Sequence, residues 1–308
     1  MSSPGTIAIV AHDAGGAEIL ASYVAQNKGA YRFALAGPAI NVFKRRLVGI
    51  DILSLEAAVS SCDWCLCGTG WQSDFEWRAI RLAHDSGKRV VSFLDHWVNY
   101  QERFVRNGVQ YLPDKLWVGD EYAEKLARQN FSEIPIQLVP NPYFRDLKHQ
   151  IAELEMQRGS LSNNQKKALF VCENISDHAR LRYGDERYWG YTEFDAIEYF
   201  LDNVKLLGVG VDKVLLRPHP SDSLGKYDWV LNQYPGFVEL SDGKPLIEEI
   251  VESELVVGCE SMALIIGLLA RKKVISCIPP GGPACRLPQI DVVHLRNIVD
   301  NPVSGLSL

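Results

Sequence analysis

The residues with the clearest chemical character are Arg217 and His219, which follow an apolar run and are separated by Pro218. Pro220 closes the same turn, so two prolines make it stiff. A rigid histidine at a strand end can donate a hydrogen bond to a phosphate oxygen, and the neighbouring arginine adds positive charge. The alternative is a histidine that merely fills a turn. We favour a phosphate contact because ligands of open α/β sheets lie beyond the carboxyl ends of the strands.

A second candidate site begins about forty residues later, where Glu260 and Ser261 separate an apolar run from the apolar segment 262–270. A serine in this position caps a helix, and the free amides of the first helical turn can bind an anion. Glu260 can accept hydrogen bonds from a ribose or a sugar, although a carboxylate here also suits the helix dipole. Together with Arg217 and His219, these residues predict a nucleotide-phosphate pocket.

The N-terminal half offers a candidate general base. His12 and Asp13 follow the first apolar run and precede Gly15 and Gly16. Asp13 could deprotonate an acceptor hydroxyl, with His12 as the rival base, or it could simply cap the following helix. The glycines allow a ligand or an opposing domain to approach the backbone closely. The segment is neither a dinucleotide fingerprint nor a P-loop, so we expect no cofactor.

Two further apolar runs, residues 64–67 and 89–94, are followed by aromatic rings mixed with hydrogen-bonding side chains. Proteins bind sugars in this way, with rings against apolar faces and polar groups on hydroxyls. Packing is the commoner role of any single ring, but the density of polar side chains around Trp97 favours an acceptor site. The predicted acceptor residues are Gly15, Gly16, Trp71, Asp95, His96, Trp97, Asn99 and Arg103.

Composition narrows the classes of partner. The formal charge of -6 gives no general reason to expect nucleic-acid binding or an acidic membrane surface. Cys62, Cys65 and Cys67 have metal-like spacing, but they stand in or beside an apolar run without a second pair nearby, so we expect buried thiols and no metal. Seven cysteines in apolar contexts indicate a reducing compartment. Without a signal segment or a long apolar stretch, we expect a cytoplasmic protein with at most peripheral membrane association.

These residues are positioned by an alternation of short apolar runs and helical patterns. Runs such as residues 7–10, 64–67 and 89–94 are typical of strands buried on both faces of a parallel sheet. The polar stretch near residue 160 interrupts the alternation, which restarts at residue 168. The sequence therefore predicts an α/β protein with two Rossmann-like, doubly wound domains facing across a cleft. We expect an N-terminal domain over 1–145, a linker over 146–167 and a C-terminal domain over 168–308.

The His-Pro pair at His219 and the later Glu260-Ser261 pair resemble the C-terminal donor domain of GT-B glycosyltransferases, especially bacterial sialyltransferase-like and capsule-building enzymes. Sugar-nucleotide epimerases and teichoic-acid glycerophosphotransferases are similar in arrangement. Asn141 and Pro142 resemble the interdomain Gly-Asn-Pro turn of the epimerase-like members, with Pro140 in place of glycine. The resemblance implies that His219 and Ser261 hold the donor phosphate. The Asp-Asp-Gly base motif of some of those families is missing here.

The function that follows is a metal-independent, inverting glycosyltransferase that moves a sugar from a nucleotide donor to a carbohydrate acceptor in surface-glycan assembly. The resemblance favours a CMP-activated nonulosonic acid as donor, with a UDP-sugar as the rival. Two other functions stay open. The same residues would serve a sugar-nucleotide epimerase or hydrolase, and a chain that had lost its base would be a non-catalytic glycan- or nucleotide-binding protein.

Overall fold

The structure is a computed structural model that describes residues 5–70, 73–158 and 165–301. The chain divides into two compact units, Met1–Asp146 and Leu147–Leu308. Each unit is built on a parallel sheet of six strands with flanking helices. The predicted fold class, two doubly wound parallel α/β domains, is confirmed.

Unit 1 contains β1 (Ile7–Ala11), β2 (Tyr31–Leu35), β3 (Trp64–Cys67), β4 (Arg89–Leu94), β5 (Val105–Arg106), β6 (Val109–Gln110), β7 (Lys115–Val118) and β8 (Ile136–Leu138). The parallel sheet has the order β2-β1-β3-β4-β7-β8, and β5 and β6 form a separate antiparallel pair. The helices of this unit are α1 (Ala14–Gln26), α2 (Ala39–Arg46), α3 (Leu55–Ser60), α4 (Phe75–Asp85) and α5 (Glu121–Asn130).

The centre of this sheet is apolar because helices cover both of its faces. All residues of β1 are buried, and Ile9 is paired with Phe33 of β2 on one side and Leu66 of β3 on the other. Side chains of α1 and α2, including Leu20 and Phe43, pack into the same core. The carboxyl ends of β1, β3 and β4 are therefore neighbours at one edge of a rigid sheet.

Unit 2 contains β9 (Lys167–Val171), β10 (Lys213–Arg217), β11 (Val238–Leu240), β12 (Leu255–Gly258), β13 (Lys273–Ser276) and β14 (Val292–His294) in the order β11-β10-β9-β12-β13-β14. Helix α6 (Pro142–Arg158) precedes these strands. The remaining helices are α7 (Ile175–Tyr183), α8 (Glu193–Asn203), α9 (Asp228–Gln233), α10 (Leu246–Glu252), α11 (Met262–Leu269) and α12 (Leu295–Asp300). Buried side chains from the strands and from α8 form the core.

Helix α6 covers much of the segment 146–167 that the sequence predicts as a linker. The boundary between the two units falls within this helix, and residues 159–164 lie outside the described part of the chain. None of the helices in the described ranges combines the length and the apolar character that a bilayer span requires.

Candidate functional site

In unit 2, three neighbouring strands bring the predicted phosphate-binding residues to one edge of the sheet. His219 follows β10 and Ser261 follows β12, while β9 lies between those two strands. Glu173, which comes shortly after β9, belongs to the same edge. The sequence did not single it out, because the order of strands in a sheet is set by long-range pairing and is not visible in the chain.

The loop of His219 is held by its own polar side chains. The ring Nδ1 of His219 lies 2.7 Å from Oγ of Ser221, which also accepts a hydrogen bond of 2.9 Å from Asn174. The backbone amide of His219 donates to the carboxylate of Asp222 at 2.7 Å. Because Nδ1 is engaged, Nε2 is the ring nitrogen suited to meet a ligand.

The side chain of Lys226 holds the His219 loop through several polar contacts. The ammonium of Lys226 lies 2.8 Å from Asp222, 3.4 Å from Asp177 and 3.2 Å from Oδ1 of Asn174, and it also pairs with Glu193. The three carboxylates come within 4.8 Å of one another. Burial acts to lower the pKa of Lys226, but hydrogen bonds to Asp222 and Glu193 raise it overall. The lysine therefore supplies the positive charge of this acidic cluster.

Ser261 caps α11, as the sequence predicts from its position. Its Oγ accepts a hydrogen bond of 3.1 Å from the amide of Ala263. The amides just before the cap are already occupied, because Oε1 of Glu173 accepts hydrogen bonds of 2.8 Å from both Cys259 and Glu260. A carboxylate of the chain itself thus uses part of the anion-binding capacity of this turn.

The environment of Glu173 raises the pKa of its carboxyl group. Burial raises the pKa of the Glu173 carboxyl to about 7, although the hydrogen bonds from the Glu260 and Cys259 amides act in the opposite direction. The nearby charge of Glu260 adds to the rise. Glu173 is therefore a group that changes its protonation state near neutral pH.

Two predicted donor-site residues are engaged in ion pairs. The carboxylate of Glu260 pairs with Arg286, with an Nη2 to Oε2 distance of 2.7 Å. Arg217 lies 2.5 Å from the fully buried carboxylate of Glu249 and donates to the carbonyl of Lys244 at 2.7 Å. Neither Arg286 nor Glu249 was a candidate from the sequence, since their partners are 26 and 32 residues away.

In unit 1, His12 and Asp13 form a pair at the carboxyl end of β1. The distance from Nδ1 of His12 to Oδ1 of Asp13 is 2.7 Å. Asp13 occupies the N-cap position of α1, but its side chain makes no capping hydrogen bond. The carboxylate of Asp13 contacts His12 and does not cap the helix, which supports Asp13 as a candidate general base.

Glu76 on α4 contacts His12 of this pair and was not a candidate from the sequence. Its Oε1 accepts a hydrogen bond of 2.7 Å from the backbone amide of His12. Its Oε2 is buried and has no hydrogen-bond partner within the described ranges. Burial raises the pKa of Glu76 to about 7, and the charge of Asp13 adds to the rise, whereas the His12 amide opposes it. A Cβ on Gly70 would lie 2.8 Å from Asp13 and 3.0 Å from Glu76, so a larger residue there would displace these carboxylates.

The predicted acceptor residues Asp95 and Arg103 form a buried network with Thr69. Nη1 of Arg103 lies 2.6 Å from Oδ1 of Asp95 and 3.0 Å from Oγ1 of Thr69. A Cβ added to Gly15 would lie 2.5 Å from Oδ2 of Asp95, and one added to Gly16 would lie 3.3 Å from the backbone of Gly68. The glycines after β1 thus allow the loops after β3 and β4 to pack closely against α1.

The other predicted acceptor residues have different surroundings. Trp97 is 6% exposed, and its indole N–H donates to both oxygens of Asp120 at 3.1 Å, so its ring packs inside the unit. Nδ1 of His96 accepts the amide of Trp97 at 3.0 Å. Asn99 has a left-handed backbone conformation with a φ of 57°. The prediction for Trp71 falls outside the described residues.

Comparison with known proteins identifies the fold. No family model matches this sequence, and no curated protein matches it. Among solved structures, Staphylococcus aureus MnaA in a structure with UDP has 13% identity and a TM-score of 0.57, over 89% of this chain and 79% of that one. The UDP-GlcNAc 2-epimerase of Methanocaldococcus jannaschii has 10% identity and a TM-score of 0.56, over 88% and 83%.

A third similar structure is the UDP-GlcNAc 2-epimerase of Neisseria meningitidis bound to UDP-GlcNAc. It has 11% identity and a TM-score of 0.55, over 84% of this chain and 78% of that one. At such identities the likeness establishes a shared fold. The fold is thus the GT-B-like α/β type that the His219 and Ser261 motifs predicted.

Proposed function

We propose that this chain is an enzyme that uses a nucleotide sugar, and specifically a metal-independent, inverting glycosyltransferase. The observation that carries the proposal is the position of His219 and Ser261 at one carboxyl edge of the unit 2 sheet. Ligands of open α/β sheets bind at such edges. The fold is shared with proteins whose structures contain UDP or UDP-GlcNAc, which supports a nucleotide-sugar donor.

Unit 2 would hold the donor phosphate. Nε2 of His219 and the hydroxyl of Ser261 supply hydrogen bonds, and the first turn of α11 supplies its positive dipole end. Both interactions strengthen as negative charge develops on the departing phosphate, so they stabilise the transition state. Arg217 and Glu260 would contribute to donor binding through the Glu249 and Arg286 pairs that fix the adjoining loops.

Unit 1 would supply the base. In the proposed reaction, an acceptor hydroxyl attacks the anomeric carbon while the bond to the phosphate breaks, and the hydroxyl proton passes to Asp13 or His12. The contact of 2.7 Å between these two side chains lets either share the proton. The acceptor would be held by the loops after β3 and β4, where Asp95 and Arg103 form their network.

The donor is a separate step of the proposal. The resemblance of the His219 and Ser261 motifs supports a CMP-activated nonulosonic acid, whereas the neighbours with UDP and UDP-GlcNAc support a UDP-sugar. The two neighbours named as UDP-GlcNAc 2-epimerases support a second candidate function, a UDP-sugar epimerase or hydrolase. That enzyme would consume its donor without an acceptor.

Nucleotide binding is the first test. We expect CMP or UDP to raise the melting temperature of the wild type, since a ligand that binds the native state stabilises it. His219→Ala should abolish the shift. The matched control is His149→Ala, an exposed histidine on α6, which should keep it. A shift with CMP supports the nonulosonic-acid donor, and a shift with UDP alone supports a UDP-sugar donor. If neither nucleotide nor UMP, CDP, GDP or ADP binds, the proposed donor site is wrong and a glycan-binding protein becomes the better hypothesis.

Turnover is the second test. The chain is incubated with the nucleotide sugar that binds, with and without carbohydrate acceptors, and products are separated by mass spectrometry and NMR. A glycosylated acceptor supports the transferase, while a donor that is epimerised or hydrolysed alone supports the second candidate. Asp13→Asn should remove turnover and preserve nucleotide binding. Asp13→Asn with full turnover would leave His12 as the base.

A further inference from the structure

The anion-binding turn before α11 already contains an anion of the chain. Oε1 of Glu173 accepts hydrogen bonds from the backbone amides of Cys259 and Glu260, each at 2.8 Å. Ser261, the residue proposed to meet the donor phosphate, follows directly and caps the helix. A bound phosphate at Ser261 would therefore lie next to the Glu173 carboxylate, and two negative charges would compete for one set of backbone dipoles.

Within the described part of the chain, the main influences on the Glu173 carboxyl include no lysine or arginine. Its titratable neighbours include Glu260, Tyr191, Cys259 and Cys285. Burial raises the pKa of Tyr191 and of Cys285, and a hydrogen bond from Cys277 together with burial raises that of Cys259, so all three are neutral near pH 7.

Glu260 is paired with Arg286, whose guanidinium is therefore already engaged. Repulsion between Glu173 and a ligand can be removed by one proton on Glu173. Oε1 can keep both amide hydrogen bonds in the protonated carboxyl, and the proton then resides on Oε2, where it can be donated to a ligand oxygen.

We propose that Glu173 takes up a proton from solvent when an anionic phosphate binds beside Ser261, so that donor binding is coupled to protonation of this side chain. The inference rests on the proposed function, because it requires a phosphate at the Ser261 end of α11. Glu173 acts as a positioning residue in the empty site, where it holds the turn before α11. In the occupied site Glu173 is neutral, and its carboxyl group donates a hydrogen bond to an oxygen of the ligand.

The sign of the pH dependence follows from this coupling. An ionised Glu173 must be protonated before the phosphate binds, so affinity falls as the pH rises above the range in which Glu173 is neutral. We expect the affinity of the wild type to drop roughly three- to tenfold between about pH 6.5 and pH 8.5. Glu173→Gln preserves an oxygen acceptor for both amides and removes the titration, so its affinity should be flat over the same range.

The experiment measures binding by isothermal titration calorimetry with UDP-GlcNAc and with CMP-N-acetylneuraminic acid. The phosphate groups of both probes are fully ionised throughout this pH range, so they contribute no titration. Titrations in buffers with different ionisation enthalpies count the protons taken up. We expect an uptake of about half a proton near pH 7.5 for the wild type, and close to none for Glu173→Gln. Glu239→Gln, an exposed acid of the same unit that pairs with Lys213, is the matched control and should match the wild type.

The outcomes separate the two proposals. Binding with no proton uptake, or equal pH dependence in wild type and Glu173→Gln, overturns the role of Glu173 and leaves the donor site intact. Proton uptake by any other residue of the site would remain in both proteins, so their difference isolates Glu173. If neither sugar nucleotide binds to either protein at about pH 6.5, the proposed function fails and the coupling fails with it.

Discussion

The ring of His219 is fixed by Ser221, with Nδ1 and Oγ 2.7 Å apart across two residues of a loop. Ser221 is held in turn by the side chain of Asn174, which comes from the neighbouring strand end. A histidine that is oriented before the ligand arrives loses less conformational freedom on binding. The order of this loop is thus part of the proposed phosphate site.

Removing that orienting contact should weaken nucleotide binding modestly. Ser221→Ala deletes one hydrogen bond to His219, worth about 1 kcal/mol, so we expect a three- to tenfold rise in the dissociation constant. His219→Ala should cost more. Ser223→Ala, in the same loop, is the control and should bind as the wild type does. Equal affinities for Ser221→Ala and wild type would show that the ring needs no support from Ser221.

The pair of Arg217 and Glu249 should matter for stability more than for binding. Arg217→Met leaves the buried Glu249 without its cation, which costs about 3 to 5 kcal/mol of unfolding free energy. The double variant Arg217→Met/Glu249→Met removes the unpaired charge and should recover most of that loss. Chemical denaturation measures both effects. If the folded double variant binds nucleotide much more weakly than the wild type, Arg217 contacts the phosphate directly.

The cluster around Lys226 should be similarly sensitive. Lys226→Met leaves the carboxylates of Glu193 and Asp222, whose side chains are 1% exposed, without a positive partner. We expect a loss of about 3 to 5 kcal/mol in the free energy of unfolding. Lys244→Met removes an exposed pair with Glu252 and should change the stability by less than about 1 kcal/mol. Similar losses in the two variants would argue against a structural role for the cluster.

Glu76 should make the protein less stable as the pH rises from about 4.5 to 7. The pKa of Glu76 is raised to about 7 in the folded chain from 4.5, so the folded state holds a proton that the unfolded state has lost. Stability therefore falls through this window by roughly 2 to 4 kcal/mol from this group. Glu76→Gln keeps an acceptor for the His12 amide and removes the titration.

Denaturation at about pH 5 and pH 8 tests this linkage. We expect Glu76→Gln to be more stable than the wild type at the higher pH, and to depend less on pH overall. Glu56→Gln, an exposed acid on α3, is the control and should behave as the wild type does. A variant of Glu76 that loses stability equally at both pH values would show that the carboxyl is ionised throughout.

Local patterns determined the architecture of this protein. The continuous apolar runs of β1, β3, β4, β9 and β12 predict strands buried on both faces, and the turns that follow them end those strands. The same reasoning placed Ser261 at the cap of α11. It did not predict helix α7, because a polar segment with His178, Arg180 and Arg182 has little apolar periodicity. Its side chains Ile175 and Ala179 are buried only through tertiary packing.

The fold class and the candidates His12, Asp13, His219 and Ser261 could therefore be predicted from the sequence, because these residues immediately follow or begin elements that local patterns reveal. The contacts of Glu173 with the amides before α11 and of Glu76 with the His12 amide became visible in the folded chain. The tertiary structure also assigned Arg217 to Glu249. These partners lie 32 to 87 residues apart along the chain, and strand order brings them together. A side chain's charge state depends on that burial and pairing, which no local pattern encodes.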